Sequence, residues 1–249
     1  KKCTIMPEYK IKKEKIVFNA DFKPSVDFFA KQTEVIKALN VDYIDWELSG
    51  LNFAVQDKEN HCSGSFSHAK IIYQIDDAND KIDFFKERII KGIKTFNEYL
   101  HVDLFKRLGV RFFMLIPMRE IKKEELSELI QSKLLVINEE IIDIASEKVS
   151  DLAYIIDYNK DGFLYHLKCG PMPKNHIPAW IDFSGGEQRF QTTKDLRVYL
   201  ESLPEISLFV DIDCYIYEVV FSDMESSINK IFDNCLKTSA KLKKYVLGE

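Results

Sequence analysis

The sequence has few of the features that mark secreted, membrane-spanning or disulfide-bonded proteins. Its 249 residues include five cysteines and no C-x-x-C pair, so we expect reduced thiols rather than a disulfide framework. No run of about 18 apolar residues is present, which argues against a membrane span. The N-terminal residues are basic but lack the apolar segment of a secretory signal. Together these absences predict a cytoplasmic protein.

Arginine is also scarce, and the net charge is negative. Only six of the 35 basic residues are arginine, the formal net charge is -5, and the sequence pI is near 5.7. Arginine is the preferred partner of phosphates and base edges, and a net negative charge opposes broad capture of a polyanion. The composition therefore argues against a nucleic-acid partner.

Apolar residues, in contrast, are numerous enough for a sizeable core, at 46% of the chain with 12% aromatic. Strand patterns cover residues 15–22, 43–48, 51–56, 66–75, 108–116, 154–158, 163–169, 179–183 and 207–220. Helical patterns cover residues 25–39, with Ser25 as N-cap, and residues 82–100, 122–133, 139–147 and 224–246. Pro171, Pro173 and Pro178 predict an irregular connection.

The order of these elements predicts an α+β fold. We expect antiparallel sheet with long amphipathic helices packed on one face, because strands and helices are segregated along the chain. A strand-rich run followed by a helix occurs twice, which raises the alternative of a duplicated strand-helix half. The chain is therefore predicted to be a single domain over residues 1–249. The alternative is two similar halves, 1–148 and 149–249, with a boundary near residues 148–151.

Residues 157–162, DYNKDG, match the start of a calcium-binding EF-hand loop. The twelfth position of that loop requires a bidentate acid, and here it is Lys168. Asp, Asn and Gly are also the residues that a hairpin turn requires. We therefore expect a turn between two strands.

Residues 183–189, FSGGEQR, resemble the signature motif of ABC ATPases. The chain contains no G-x-x-x-x-G-K-[ST] loop to hold the phosphates, so a nucleotide is not expected. A turn after a strand accounts for the two glycines.

Histidine and cysteine are scattered in two groups rather than paired. The groups are His61, Cys62 and His68, then His166, Cys169 and His176. Zinc sites usually show tighter pairs of ligands. The nearest approach to such a pair is His166 with Cys169, and residues three apart on a strand point to opposite faces. We expect neither a metal nor a cofactor.

The strand-rich run 207–220 carries two aspartates at its centre. Asp211 and Asp213 are two apart on a strand, so their carboxylates share one face. Such a pair raises one pKa and suits acid/base or metal chemistry, unless solvent or a neighbouring base neutralises it. Asp45 and Glu47 repeat the geometry, and for both pairs a solvated or ion-paired structural role is the simpler interpretation.

Arg107 and Arg111 are four apart on a predicted strand and share one face with Gly109. We expect them to pair with Asp211 and Asp213 from an adjacent strand, either as a structural ion network or as the floor of a site for an anionic ligand. These four residues form the candidate site.

Three segments are similar to one protein family. Residues 105–113, FKRLGVRFF, resemble the R-x-G-x-R-[FY] segment of the TIGR04255 family of uncharacterised bacterial proteins. Residues 208–215, LFVDIDCY, resemble that family's second marker, an apolar run with D-x-D, and the helix around residues 228–236 resembles its C-terminal segment. The resemblance implies a cytoplasmic bacterial α+β protein and implies no activity.

Three functions are compatible with these patterns. The first is a non-enzymatic interaction protein, an accessory subunit of a bacterial multi-protein system such as one for defence or toxin control, with a protein partner or a second copy of itself. The second is an enzyme, a metal-assisted hydrolase or nuclease using Asp211, Asp213 and Glu218 with Arg111 at the substrate. The third is a small-ligand binding module with its pocket between sheet and long helix.

Overall fold

The computed structural model of the protein describes residues 10–40, 43, 45–49, 51–134, 153–183 and 193–248. Within these residues, nine strands form one sheet in which all neighbours are antiparallel. The strands are β1 (Lys12–Phe22), β2 (Asp45–Ser49), β3 (Asn52–Asp57), β4 (Cys62–Ser67), β5 (Lys70–Asp76), β6 (Leu104–Pro117), β7 (Tyr154–Lys160), β8 (Phe163–Pro173) and β9 (Ile206–Val220). Their order across the sheet is β2-β3-β4-β5-β1-β6-β9-β8-β7.

Six α-helices lie among these strands in the described residues. They are α1 (Asp27–Leu39), α2 (Ile82–Leu100), α3 (Lys123–Leu134), α4 (Ile177–Phe183), α5 (Thr193–Ser202) and α6 (Met224–Leu247). Four of them, α1, α2, α3 and α6, share one core with the sheet. None of the helices in the described residues combines the length and apolar character needed to cross a membrane.

The predicted α+β class is therefore confirmed, with its long amphipathic helices on one sheet face. The first of these, α2, buries the predicted stripe, including Phe85, Ile89 and Phe96. A close approach to the sheet is possible because Gly92 has no side chain, since an added Cβ there would collide with the Tyr73 hydroxyl on β5. The longest helix, α6, buries Ile228, Ile231, Phe232, Cys235 and Leu242 as predicted, whereas Tyr245 is exposed.

Two short helices lie on the other face of the sheet, at one end. A second apolar cluster joins Ile177 of α4 to Phe209 of β9, and Leu115 of β6 to Leu203, which follows α5. Trp180 and Tyr199 pack against this cluster. Among the described residues, the rest of this sheet face carries no helix.

The chain repeats one topological plan. In the first unit, β1 lies at the centre of the sheet, α1 follows, strands β2 to β5 run from the edge back to β1, and α2 closes the unit. In the second unit, β6 lies at the centre, α3 follows, strands β7 to β9 run from the other edge back to β6, and α6 closes it. The plan divides between α2 and β6. The predicted boundary near residues 148–151 lies outside the described residues and stays a prediction.

Two strand predictions require correction. Residues 66–75 form not one strand but parts of a hairpin, β4 and β5, whose turn is at His68 and Ala69. Apolar residues alternate on both sides of this polar turn, so the sequence pattern alone predicts one continuous strand. Residues 179–183 are helical, as part of α4, rather than a strand.

The prolines and the first cap also differ from expectation. Pro171 and Pro173 lie within β8, and Pro178 lies in the first turn of α4, where a proline has no amide to lose. Ser25 does not cap α1, whose N-cap position is Val26. Instead, the amide of Ser25 donates to the carbonyl of His68 at 2.8 Å. The helix predicted over residues 139–147 lies outside the described residues.

Candidate functional site

The sheet face away from the four core helices, here called the open face, carries the candidate residues. Alternation places Arg107, Gly109 and Arg111 of β6 on it, and Asp211 and Asp213 of β9 beside them. The residues between them on both strands point into the core, including Val110 and Ile212. The structure therefore brings all four predicted site residues together.

Each arginine bonds one aspartate across the β6–β9 pair. Arg111 donates Nε to Oδ1 of Asp211 at 2.8 Å and Nη2 to Oδ2 at 2.6 Å, which is the bidentate fork geometry. Arg107 donates Nη2 to both oxygens of Asp213, at 3.2 and 3.0 Å. The pairing of these arginines with Asp211 and Asp213 from an adjacent strand, expected from the sequence, is present.

Burial differs between the two pairs. The Asp211 side chain is 5% exposed and that of Arg111 is 38% exposed, whereas Asp213 and Arg107 are 23% and 22% exposed. The bond to Asp211 raises the pKa of Arg111, so that guanidinium is cationic throughout the working pH range. Burial raises the pKa of Asp213 above its ordinary value, although Arg107 and Arg111 oppose the shift.

A glycine gives Arg107 its path to Asp213. The side chain crosses Gly109, where an added Cβ would lie 3.0 Å from the Arg107 Cζ and 2.8 Å from the Tyr215 Cβ. The guanidinium carbon lies 4.5 Å from the centre of the Tyr215 ring, and Tyr217 packs edge-to-face on Tyr215 with ring centres 5.5 Å apart. Tyr217 itself is 54% exposed. Arg107 is therefore held flat on the sheet beside an exposed aromatic ring.

A separate histidine–aspartate pair lies beside these ion pairs, on the outer strands. His166 of β8 is opposite Asp213 in register, and its Nδ1 is 2.7 Å from Oδ1 of Asp157 on β7. Neither His166 nor Asp157 belongs to the site predicted from the sequence. The strand alternation of β7 and β8 is the signal that could have found them, because it puts both residues on the open face.

A cavity of about 400 Å³, here called the corner cavity, opens beside Arg111 where α4 meets the sheet. Its polar walls include Arg111, Asp211 and Lys168, and its aromatic walls are Phe113, Trp180 and Phe209. Two histidines, His166 and His176, also line it. This cavity is not predicted from the sequence, because the pattern of residues 179–183 predicts a strand where the structure has α4.

A second hollow, of about 510 Å³, lies between the sheet and α6, with Tyr158, Tyr165 and Lys241 among its lining residues. This is the place that the ligand-binding hypothesis assigned to a pocket. Its tyrosines stack on each other with ring centres 4.5 Å apart.

The other predicted motifs provide no site in the described residues. Asp161 and Gly162 form the β7–β8 hairpin turn with positive φ angles of 54° and 81°, as expected for a turn rather than a calcium loop. Asp45 pairs with Lys58 at 2.6 Å. Residues 184–189 of the ABC-like motif lie outside the described part.

In the described part of the chain, no three His, Cys, Asp or Glu side chains are grouped closely enough to hold a metal ion. Cys62 and Cys169 are buried thiols, and burial raises the pKa of each to about 12. They are therefore protonated at neutral pH and unsuited to act as nucleophiles or metal ligands.

Comparison with known proteins assigns no family. No protein-family model matches the chain, and no curated protein matches it. One solved structure with some likeness is that of "Methanococcus jannaschii TBP", at 10% identity and a TM-score of 0.26, over 63% of this chain and 81% of that chain. A likeness of that size supports no conclusion about this protein.

Proposed function

We propose that this chain is a non-enzymatic binding protein, an accessory subunit that contacts a protein partner through the open face of its sheet. One observation carries the proposal: Tyr217 is exposed next to an arginine already fixed in place by Tyr215 and Asp213. Tyrosine and arginine are among the residues most enriched at the energetic centres of protein interfaces. A pre-positioned pair loses little side-chain freedom on binding.

Apolar neighbours extend this surface. Leu104 is 42% exposed and Val220 is 46% exposed, and the two residues are opposite each other at the end of the β6–β9 pair. A surface of this kind, with an aromatic centre, apolar neighbours and charged groups around them, fits a protein partner or a second copy of this chain.

The ion pairs favour binding over catalysis. A metal-assisted hydrolase needs carboxylates that are free to coordinate a cation. Here both carboxylates accept hydrogen bonds from guanidinium groups, and a metal would have to displace them. The hydrolase hypothesis therefore has less support than the binding hypothesis.

The test is native mass spectrometry of the tagged protein isolated gently from its host cells. We expect the wild-type protein to form a stoichiometric complex with a second protein, or a dimer, and we expect Tyr217→Ala to abolish that complex. Tyr245→Ala is the matched control, because Tyr245 is 58% exposed but lies on α6 on the other side of the sheet. A wild-type protein that is monomeric and without a partner, or a complex that survives Tyr217→Ala, contradicts the proposal.

A further inference from the structure

The corner cavity combines unpaired positive charge with aromatic walls. We propose that it binds a small aromatic carboxylate, with Lys168 and Arg111 at the carboxylate and with Trp180, Phe113 and Phe209 around the ring. This site is separate from the Tyr217 surface, which lies at the other end of the open face, and it does not depend on the proposed protein partner.

The charge balance of the cavity favours an anion. Asp211 is the acidic residue of its lining, and both its oxygens are already bonded to Arg111. Lys168 is opposite Asp211 in register but forms no ion pair within the described residues. Its ammonium nitrogen lies 5.7 Å from the centre of the Phe209 ring. One full positive charge therefore remains for a ligand to neutralise.

Hydrogen-bond donors remain available as well. Arg111 uses Nε and Nη2 for Asp211, so within the described part of the chain its Nη1 has no partner. The Lys168 ammonium, which lines the same cavity, is the second donor. A carboxylate accepts several such donors at once, and charge-assisted bonds are the stronger kind.

The aromatic side chains that line the corner cavity favour a ligand whose carboxylate is attached to a flat ring. Trp180 packs edge-to-face on Phe113 with ring centres 5.8 Å apart, and the Arg111 guanidinium lies over Phe113 at 4.7 Å. Phe209 belongs to the apolar cluster that anchors α4. The volume, about 400 Å³, is within the range of small-molecule sites. A bare inorganic anion would leave these rings without a contact.

The chain provides its own reporter for the test. It has two tryptophans, and Trp46 lies on the edge strand β2, far from the cavity in the strand order. In a Trp46→Phe background, fluorescence therefore reports on Trp180 alone. The titrants are benzoate, the neutral benzyl alcohol, the cationic benzylamine and the ring-free acetate, with equilibrium dialysis of radiolabelled benzoate as a second measurement.

We expect a saturable response to benzoate, and a much weaker response to each of the other three titrants. Lys168→Gln should weaken benzoate binding about tenfold, because one charge-assisted contact is lost. Lys23→Gln is the control, since it removes an exposed positive charge elsewhere on the surface. Circular dichroism and the urea midpoint establish that both variants are folded.

Three results would overturn the inference. They are an absence of saturable benzoate binding in both measurements, equal binding by the Lys168→Gln variant, and equal binding of acetate, which would indicate a plain anion site. None of these results depends on whether the Tyr217 surface binds a protein.

Discussion

Arg111 and Arg107 make the same kind of bond in two different environments. The partner of Arg111 is almost fully buried, whereas the partner of Arg107 retains contact with water. Removing one member of a buried pair leaves an uncompensated charge, which costs far more than the pair itself contributes. At a partly exposed pair, water takes the place of the lost partner.

Arg111→Met should therefore lower the free energy of unfolding more than Arg107→Met. We expect losses of about 3 kcal/mol for Arg111→Met and about 1 kcal/mol for Arg107→Met. Urea denaturation, followed by circular dichroism, measures both. Equal losses in the two variants would mean that burial of Asp211 does not set the cost.

The sequence predicted that these arginines and aspartates form ion pairs, but not that the two pairs differ in burial. The spacing of Arg107 and Arg111 on one strand, and of Asp211 and Asp213 on another, was enough to put all four side chains on one face. The more deeply buried aspartate, Asp211, lines the corner cavity together with Trp180 of α4, and part of that helix was predicted to be a strand. Short apolar runs such as residues 179–183 do not carry enough periodicity to separate the two structures.

At the scale of elements, long periodic segments were the most predictable. The helix over residues 82–100 was predicted with its boundaries and its buried stripe, because six apolar residues recur at helical spacing. The β4–β5 hairpin was missed because its turn, at His68 and Ala69, contains neither Gly nor Pro. Similarly, β8 continues through Pro171 and Pro173, where the sequence suggested that regular structure ends.

The β7–β8 turn gives a test of the EF-hand likeness. Gly162 has a φ of 81° and no heavy atom close to where a Cβ would lie, so a side chain there meets backbone strain but no collision. Gly162→Ala should lower the free energy of unfolding by about 1 kcal/mol. Millimolar calcium should leave the melting temperature of both proteins unchanged.

Differential scanning calorimetry measures both effects. The control for the substitution is Lys160→Ala, which changes an exposed residue of the same hairpin without altering a positive φ angle. A calcium-dependent rise in melting temperature that Asp157→Asn removes would contradict the assignment of these residues to a simple turn.

At the scale of the molecule, one sheet joins the two topological units. Strand β1 belongs to the first unit, and β6 and β9 belong to the second. The pairing of β1 with β6 joins the two units in the middle of the sheet, and β9 pairs with the other edge of β6. The helices reinforce the join, since α6 of the second unit contacts α2 of the first. The units therefore have little reason to unfold separately.

The two tryptophans, one in each unit, can test whether the units unfold together. Trp46 lies on the β2 edge of the first unit, and Trp180 lies on α4 of the second. We expect the urea unfolding curves of Trp46→Phe and Trp180→Phe, each reporting on the remaining tryptophan, to coincide with each other and with circular dichroism. Separate midpoints for the two reporters would show that the units unfold independently.

The position of β6 also affects how the protein is made. This strand is synthesised before residue 118, but its neighbour β9 does not emerge until residues 206–220 have been translated. Throughout that interval the growing chain has a long strand with one edge of unpaired amides and carbonyls, which is the kind of surface that promotes aggregation. Completion of the sheet must therefore wait until β9 has been made, and a ribosome-associated chaperone would have its greatest effect in that interval.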